Sequence, residues 1–150
     1  MTDEVSIRGA EDLAKAAKQI KEMGDKTLRR ELTRAIREAS KPAQAAIRAS
    51  ALEELPKRGG LAAKVASSRV TTKIRTSART AGVRIQATNL HDIAAMNRGR
   101  LRHPVFGNKN VWVNQKIKPG WFTDPANATR PVAQQRVRAA MERVQANLHN

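Results

Sequence analysis

The chain has 150 residues, 40% of them hydrophobic, enough for one domain with a modest, Ala-rich core. It has no Cys, which excludes disulfides, thiolate metal sites and a cysteine nucleophile. Its formal charge of +16 is lopsided, because residues 1–55 are nearly neutral and only Asp92, Asp124 and Glu142 are acidic after them. That asymmetry predicts an acidic partner: nucleic acid, a membrane surface or an acidic protein surface. A membrane fits least, because no helical segment sets a basic face against bulky apolar residues. No apolar run approaches the roughly 18 residues needed to span a bilayer. The acidic start, Met1-Thr2-Asp3-Glu4, has no apolar stretch and predicts no secretory signal.

In chain order, Val5 and Ile7 alternate with Ser6 and Arg8, which predicts a short strand stopped at Gly9. A short N-terminal helix follows, with Leu13, Ala16, Ala17 and Ile20 as its stripe and Gly24 as its stop. Asp25 is placed to cap a long second helix. Its stripe is Leu28, Leu32, Ile36, Ala39, Ala43, Ile47, Ala51 and Leu55, and Pro42 is expected to kink or split it. Lys57-Arg58-Gly59-Gly60 reads as a mobile basic turn, because two glycines cost much entropy to fix.

The period then changes to two. Val70, Thr72 and Ile74 alternate with Arg69, Thr71, Lys73 and Arg75, and Val83, Ile85 and Ala87 repeat the pattern, predicting an antiparallel hairpin. Asp92 to Met96 reads as a helical turn, residues 97–110 as mostly loop, and Val111 with Val113 as a third strand. Thr129 is expected to cap a last helix with Pro131 in its first turn and Val137, Met141, Val144 and Leu148 on one face. The expected fold is a single α+β domain over 1–150. A small antiparallel sheet is packed by a long kinked helix, a short N-terminal helix and a C-terminal helix.

Nothing in the sequence converges on catalysis. His91, His103 and His149 lack metal-ligand spacing, the acids are dispersed, and no phosphate-binding glycine loop is present. The expectation is therefore no enzyme, no metal and no cofactor. Residues 57–118 carry 14 Lys or Arg against Asp92 alone. Lys57, Arg58, Arg69, Lys73, Arg75, Arg84, Arg98, Arg100 and Arg102 are the candidate contacts to DNA or to an acidic protein. The contact to DNA would be non-specific and driven by counterion release, since the hairpin offers no rings for base stacking.

The four aromatics of the chain, Phe106, Trp112, Trp121 and Phe122, all lie in one segment punctuated by Pro104, Gly107, Pro119, Gly120 and Pro125. Large rings dominate packing or an interface wherever they sit. Trp121 and Phe122 are adjacent, so in an extended segment their rings diverge and at least one faces a partner or another layer. The candidate interface is His103, Phe106, Trp112, Trp121 and Phe122, with Trp121 as anchor because Trp is enriched at the energetic centres of interfaces. Core packing is the alternative, evenly weighted for Phe106 and Trp112.

Arg102-His103-Pro104-Val105-Phe106-Gly107-Asn108, then Trp112-Val113, then Lys118-Pro119-Gly120-Trp121-Phe122, resembles the signature of a family of head–tail joining proteins. These are the neck or tail-completion proteins of long-tailed, non-contractile bacteriophages. Val5-Ser6-Ile7-Arg8-Gly9 resembles the family's opening. Leu55-Pro56-Lys57-Arg58-Gly59-Gly60-Leu61 with Ser67-Ser68 resembles its loop after the long helix, with Gly59 where Thr is usual. The resemblance implies a structural virion protein, assembled in the bacterial cytoplasm, that joins or completes the tail on the DNA-filled head. It implies a homo-oligomeric ring around the DNA channel, a hexamer by analogy with neighbouring tail rings. The implied partners are head-closure or connector proteins, tail-terminator or tail-tube proteins, and double-stranded DNA. The alternative reading is a small basic non-specific nucleic-acid-binding protein.

Overall fold

In the computed structural model of the chain, residue 19 and residues 22–75, 82–88 and 92–148 are described. The expected N-terminal strand and nearly all of the first helix lie outside them. A long helix, α1 (Lys26–Glu54), starts where the sequence puts it: the Asp25 carboxylate accepts the backbone N–H of Thr27 at 2.7 Å and of Leu28 at 3.1 Å. These are donors that no preceding turn can satisfy. The predicted stripe from Leu28 to Ala51 is the buried face, and the helix continues unbroken through Pro42. Beside Pro42, the Ser40 hydroxyl turns back to the Ile36 carbonyl at 2.8 Å.

A short helix α2 (Leu61–Ala66) follows the basic turn, and strands β1 (Arg69–Arg75) and β2 (Gly82–Thr88) pair antiparallel. The sequence reading missed α2, since six residues are too few to establish a period; its one signal is Leu61 and Val65, four apart. The face of β1 carrying Val70, Thr72 and Ile74 does pack inward. Thr72 accepts a 2.8 Å bond from the Gln44 amide of α1, and Ile74 joins the core. On β2, Ala87 is buried beside Val70, but Gln86 on the opposite face is buried too, which alternation does not foresee.

Helix α3 (Ile93–Asn97) stands where a helical turn is predicted. Beyond it the expected loop is a second hairpin, β3 (Arg100–Val105) with β4 (Asn108–Lys116). The third strand therefore does not join the first pair; among the described residues there are two separate two-stranded sheets. Arg100-Leu101-Arg102-His103-Pro104 hides β3 because charge and proline mask its alternation.

The last helix, α4 (Thr123–Leu148), begins six residues earlier than Thr129. Thr129 lies inside it, its hydroxyl bonded to the Ala126 carbonyl at 3.0 Å, and Pro131 is an interior residue. The proline nearest the start is Pro125, a first-turn position where its missing N–H costs nothing.

Two core clusters result. Met23, Leu28, Leu32, Ile36 and Ala39 pack on Val137, Ala140 and Val144 of α4. The far end of α1, from Ile47 to Leu55, packs with α2, β1, β2, α3, Trp121, Phe122 and Ala126. The N-terminal half of α1 thus meets the C-terminal half of α4, so the two long helices run antiparallel.

Candidate docking surface

The turn between β3 and β4 contains only Phe106 and Gly107, since Val105 pairs with Asn108. Their φ angles are 47° and 76°. Positive φ at both central residues lets a two-residue loop follow the right-handed twist of the strands. Glycine takes that conformation freely, and Asn or Asp commonly precedes it. Phenylalanine does not, because its Cβ crowds the following carbonyl at a cost of roughly 1–2 kcal/mol. The Phe106 ring is also wholly exposed, with a relative accessibility of 103%. The tip therefore carries two costs, strain and an unburied ring, without a return inside the chain.

Pairing shifts between Pro104 and Val105: Pro104 faces Trp112, and residues 109–111 bulge out of the register. Proline brings no N–H to the ladder, which explains the break at that point. The bulge is fixed by two local bonds, Asn110 N–H to Asn108 Oδ1 at 3.0 Å and Trp112 Nε1 to the Lys109 carbonyl at 2.7 Å. Arg102 pairs with Asn114, so Trp112 is its diagonal neighbour on the same face. The Arg102 guanidinium lies over the Trp112 ring, 5.2 Å from its centroid. Trp112 keeps 45% of its surface exposed, and Val111 and Val113 are exposed beside it. Every residue of β4 is exposed.

Among the described residues, this hairpin is tied to the domain at its foot. Leu101 and Ile117 pack against the larger core, and the Ile117 N–H donates to the Gly99 carbonyl at 3.0 Å. Gly99 sits at φ 92°, and a Cβ added there would lie 2.9 Å from the Ile117 oxygen, so the strands converge on a glycine by necessity. The Gly120 N–H reaches the Asn97 carbonyl at 2.7 Å. The Asn97 side chain then accepts the N–H of Phe122 at 3.0 Å and of Thr123 at 3.2 Å, acting as a cap for α4 from another element. Asn97 was not foreseen, because a cap supplied 25 residues upstream leaves no local pattern.

Those bonds turn the chain at Trp121-Phe122 instead of extending it, which overturns the expectation that their rings diverge. Both point into the core, 2% and 0% exposed, and stack edge to face with centroids 5.6 Å apart. Trp121 and Phe122 are therefore withdrawn from the candidate interface. Trp121 Nε1 is buried without an acceptor among the described residues. Phe106 and Trp112 remain on the surface, and His103 is half-buried with Nδ1 3.2 Å from the Pro104 oxygen.

The candidate cations divide between the two sheets. Arg69 and Lys73 are exposed on β1, Arg84 is half-buried opposite Lys73, and Arg75 ends β1 opposite Gly82. Lys57 and Arg58 are exposed in the turn before α2, and Arg98, Arg100 and Arg102 are exposed along the second hairpin's foot and first strand. Between that hairpin and residues 56–65 lies an open groove of about 770 Å³. It brings Arg58, Arg102, His103 and Trp112 to one place, four candidates from two separate segments.

Among the described residues no group of three or more His, Cys, Asp or Glu is placed to hold a metal, and no helix is long and apolar enough to cross a membrane. No family model, curated protein or solved structure matches the chain.

Proposed function

We propose that this chain is a structural assembly protein whose β3–β4 hairpin is a docking arm. We take its setting from the sequence resemblance: the neck of a long-tailed phage, where copies in a ring around the DNA channel join tail to head. The observation that carries the docking role is Phe106, a strained and fully exposed ring at the tip of a hairpin whose foot is tied to the core. Backbone strain at an exposed site points to use there. A two-stranded hairpin is at best marginal in water without a covering surface. Behind the tip, Trp112 and Val113 are exposed on the two faces of β4, with Val111 exposed in the bulge, and this is further apolar surface that a protein neighbour would cover. Protein contact is favoured over nucleic acid as the arm's purpose, because Arg102 already covers one face of Trp112 and Phe106 is the one other exposed ring, too few for a stacking platform.

The experiment is complementation. Particles assembled with Phe106→Asp are expected to accumulate as unjoined heads and tails in electron micrographs, while the purified variant keeps wild-type helical content. Normal joining by the folded variant would reject the arm as the docking element. Normal joining in the complete absence of the chain would reject the neck reading itself.

A further inference from the structure

The groove at the foot of the arm has a chemistry of its own. Its apolar part is Leu61, Val65, Met96 and Leu101, side chains from α2, α3 and β3. Its rim carries Arg58, Lys64 and Arg102, all exposed, with Trp112 closing one side. Asp92 is the one acid among the described lining residues, and it is already engaged in an interaction. Around it, residues 98–118 hold six Lys or Arg and no Asp or Glu. A site with apolar side chains inside and cations outside selects for the complementary ligand.

We infer that this groove receives an acidic, extended segment of a different protein, with one or more bulky aliphatic or aromatic residues of that segment set against Leu61 and Leu101, the partly exposed apolar lining. The inference rests on the assembly reading above and names the chemistry of the partner. Three features decide the occupant. The cationic rim calls for a negatively charged partner. The apolar interior is of no use to a phosphate backbone, which is bound by charge and hydrogen bonds. A second copy of the hairpin would bring the same unbroken positive charge and be repelled. The 770 Å³ volume suits a few side chains rather than a folded domain.

The test uses the full chain and three labelled probes in a fluorescence-anisotropy titration: a soluble peptide alternating Glu with Leu, a peptide of equal length and charge alternating Glu with Ser, and random duplex DNA. The Glu-Leu peptide is expected to bind most tightly. Arg58→Glu, Lys64→Glu and Trp112→Ala should each weaken it by roughly tenfold, while Lys73→Glu on the other sheet should leave it unchanged. All four positions are exposed, and circular dichroism checks that each variant is folded. Equal affinity for the Glu-Ser peptide would reduce the site to bare charge and overturn the inference. Tightest binding by DNA, lost with the same groove variants, would assign the groove to nucleic acid instead. Self-association in the ultracentrifuge that Lys64→Glu abolishes would assign it to a second copy. Joining that requires the chain, combined with no peptide binding, rejects the groove proposal alone. Peptide binding by a chain that particles do not need rejects only the neck setting.

Discussion

Four aromatic rings lie within residues 106–122, and the fold treats them in opposite ways. Trp121 and Phe122 are almost wholly buried in the larger core, whereas Phe106 and Trp112 stand on a hairpin that projects from it. The difference comes from the backbone. Around residue 120 the chain turns and enters α4, so two consecutive rings share one side. Around residue 106 it reverses in a two-residue turn, and the ring there meets nothing among the described residues. Aromatic composition alone marks both places as important without saying which is structure and which is surface.

The sharpest way to break that contrast is to truncate one ring of each pair. Phe122→Ala removes a fully buried ring that stacks on Trp121, and a loss of about 3–5 kcal/mol is expected, a large part of the roughly 5–15 kcal/mol available to a domain. Denaturant titration should show it as a lowered midpoint. Phe106→Ala should leave that midpoint unmoved or raise it. Equal losses at both positions would mean that the hairpin tip packs on the domain and is no free arm.

Asn97→Ala comes next. The side chain accepts two N–H groups at the start of α4 and so fixes the turn that aims Trp121 and Phe122 inward. Loss of a cap costs about 0.5–2 kcal/mol. The expected signature is a smaller midpoint shift than Phe122→Ala, with faster hydrogen exchange at Phe122 and Thr123. Unchanged exchange there would show that Gly120 and Asp124 hold the turn without it.

The fold class was legible in the sequence because it rests on periodicity. The α1 stripe, the β1–β2 pairing and the Asp25 cap all come from residues close in sequence acting on one another. What was hidden depends on partners far apart. Thr129 looks like the start of a helix, and only the bonds from Asn97 show that the helix has already begun at Thr123. β3 looks like a loop because its pairing with β4 outweighs the local reading of proline and charge. The groove unites Arg58 and Lys64 with Arg102 and Trp112 across some 40 residues, so the sequence could supply its cations but not their assembly.

Phe106→Asn separates strain from use. Asn adopts positive φ readily, so the turn should gain about 1 kcal/mol while losing its ring. Hydrogen exchange across β3 and β4 should slow, and joining of particles should fail. A slower-exchanging hairpin that still joins normally would show that the ring is dispensable and that the other exposed apolar residues of the arm, Val111 to Val113, make the contact. A faster-exchanging hairpin would show that the ring supports the arm it caps.

The smallest effect belongs to the ion pair beside the hairpin's foot, where Lys118 Nζ lies 2.8 Å from Glu54 Oε1 at the end of α1. The hydrogen bond to Glu54, with that residue's charge, raises the Lys118 pKa above the ordinary lysine value. A group raised in the folded state contributes stability that is fully present below its unfolded value and lost as pH climbs through the folded one. Any contribution therefore holds at neutral pH and disappears only in strongly alkaline solution. It is also weak, because the lysine is exposed and an exposed pair is screened by water and salt. A double-mutant cycle of Lys118→Gln with Glu54→Gln, read from denaturation midpoints at neutral pH, is expected to give a coupling well below the Asn97→Ala loss. It should shrink further in high salt. A coupling as large as the Asn97 effect, persisting in salt, would transfer the role of fixing the turn after the hairpin from the Asn97 side chain's bonds with Phe122 and Thr123 to this pair. The arm's orientation would then depend on charge and vary with ionic strength, whereas the hydrogen-bonded foot holds it independently of salt.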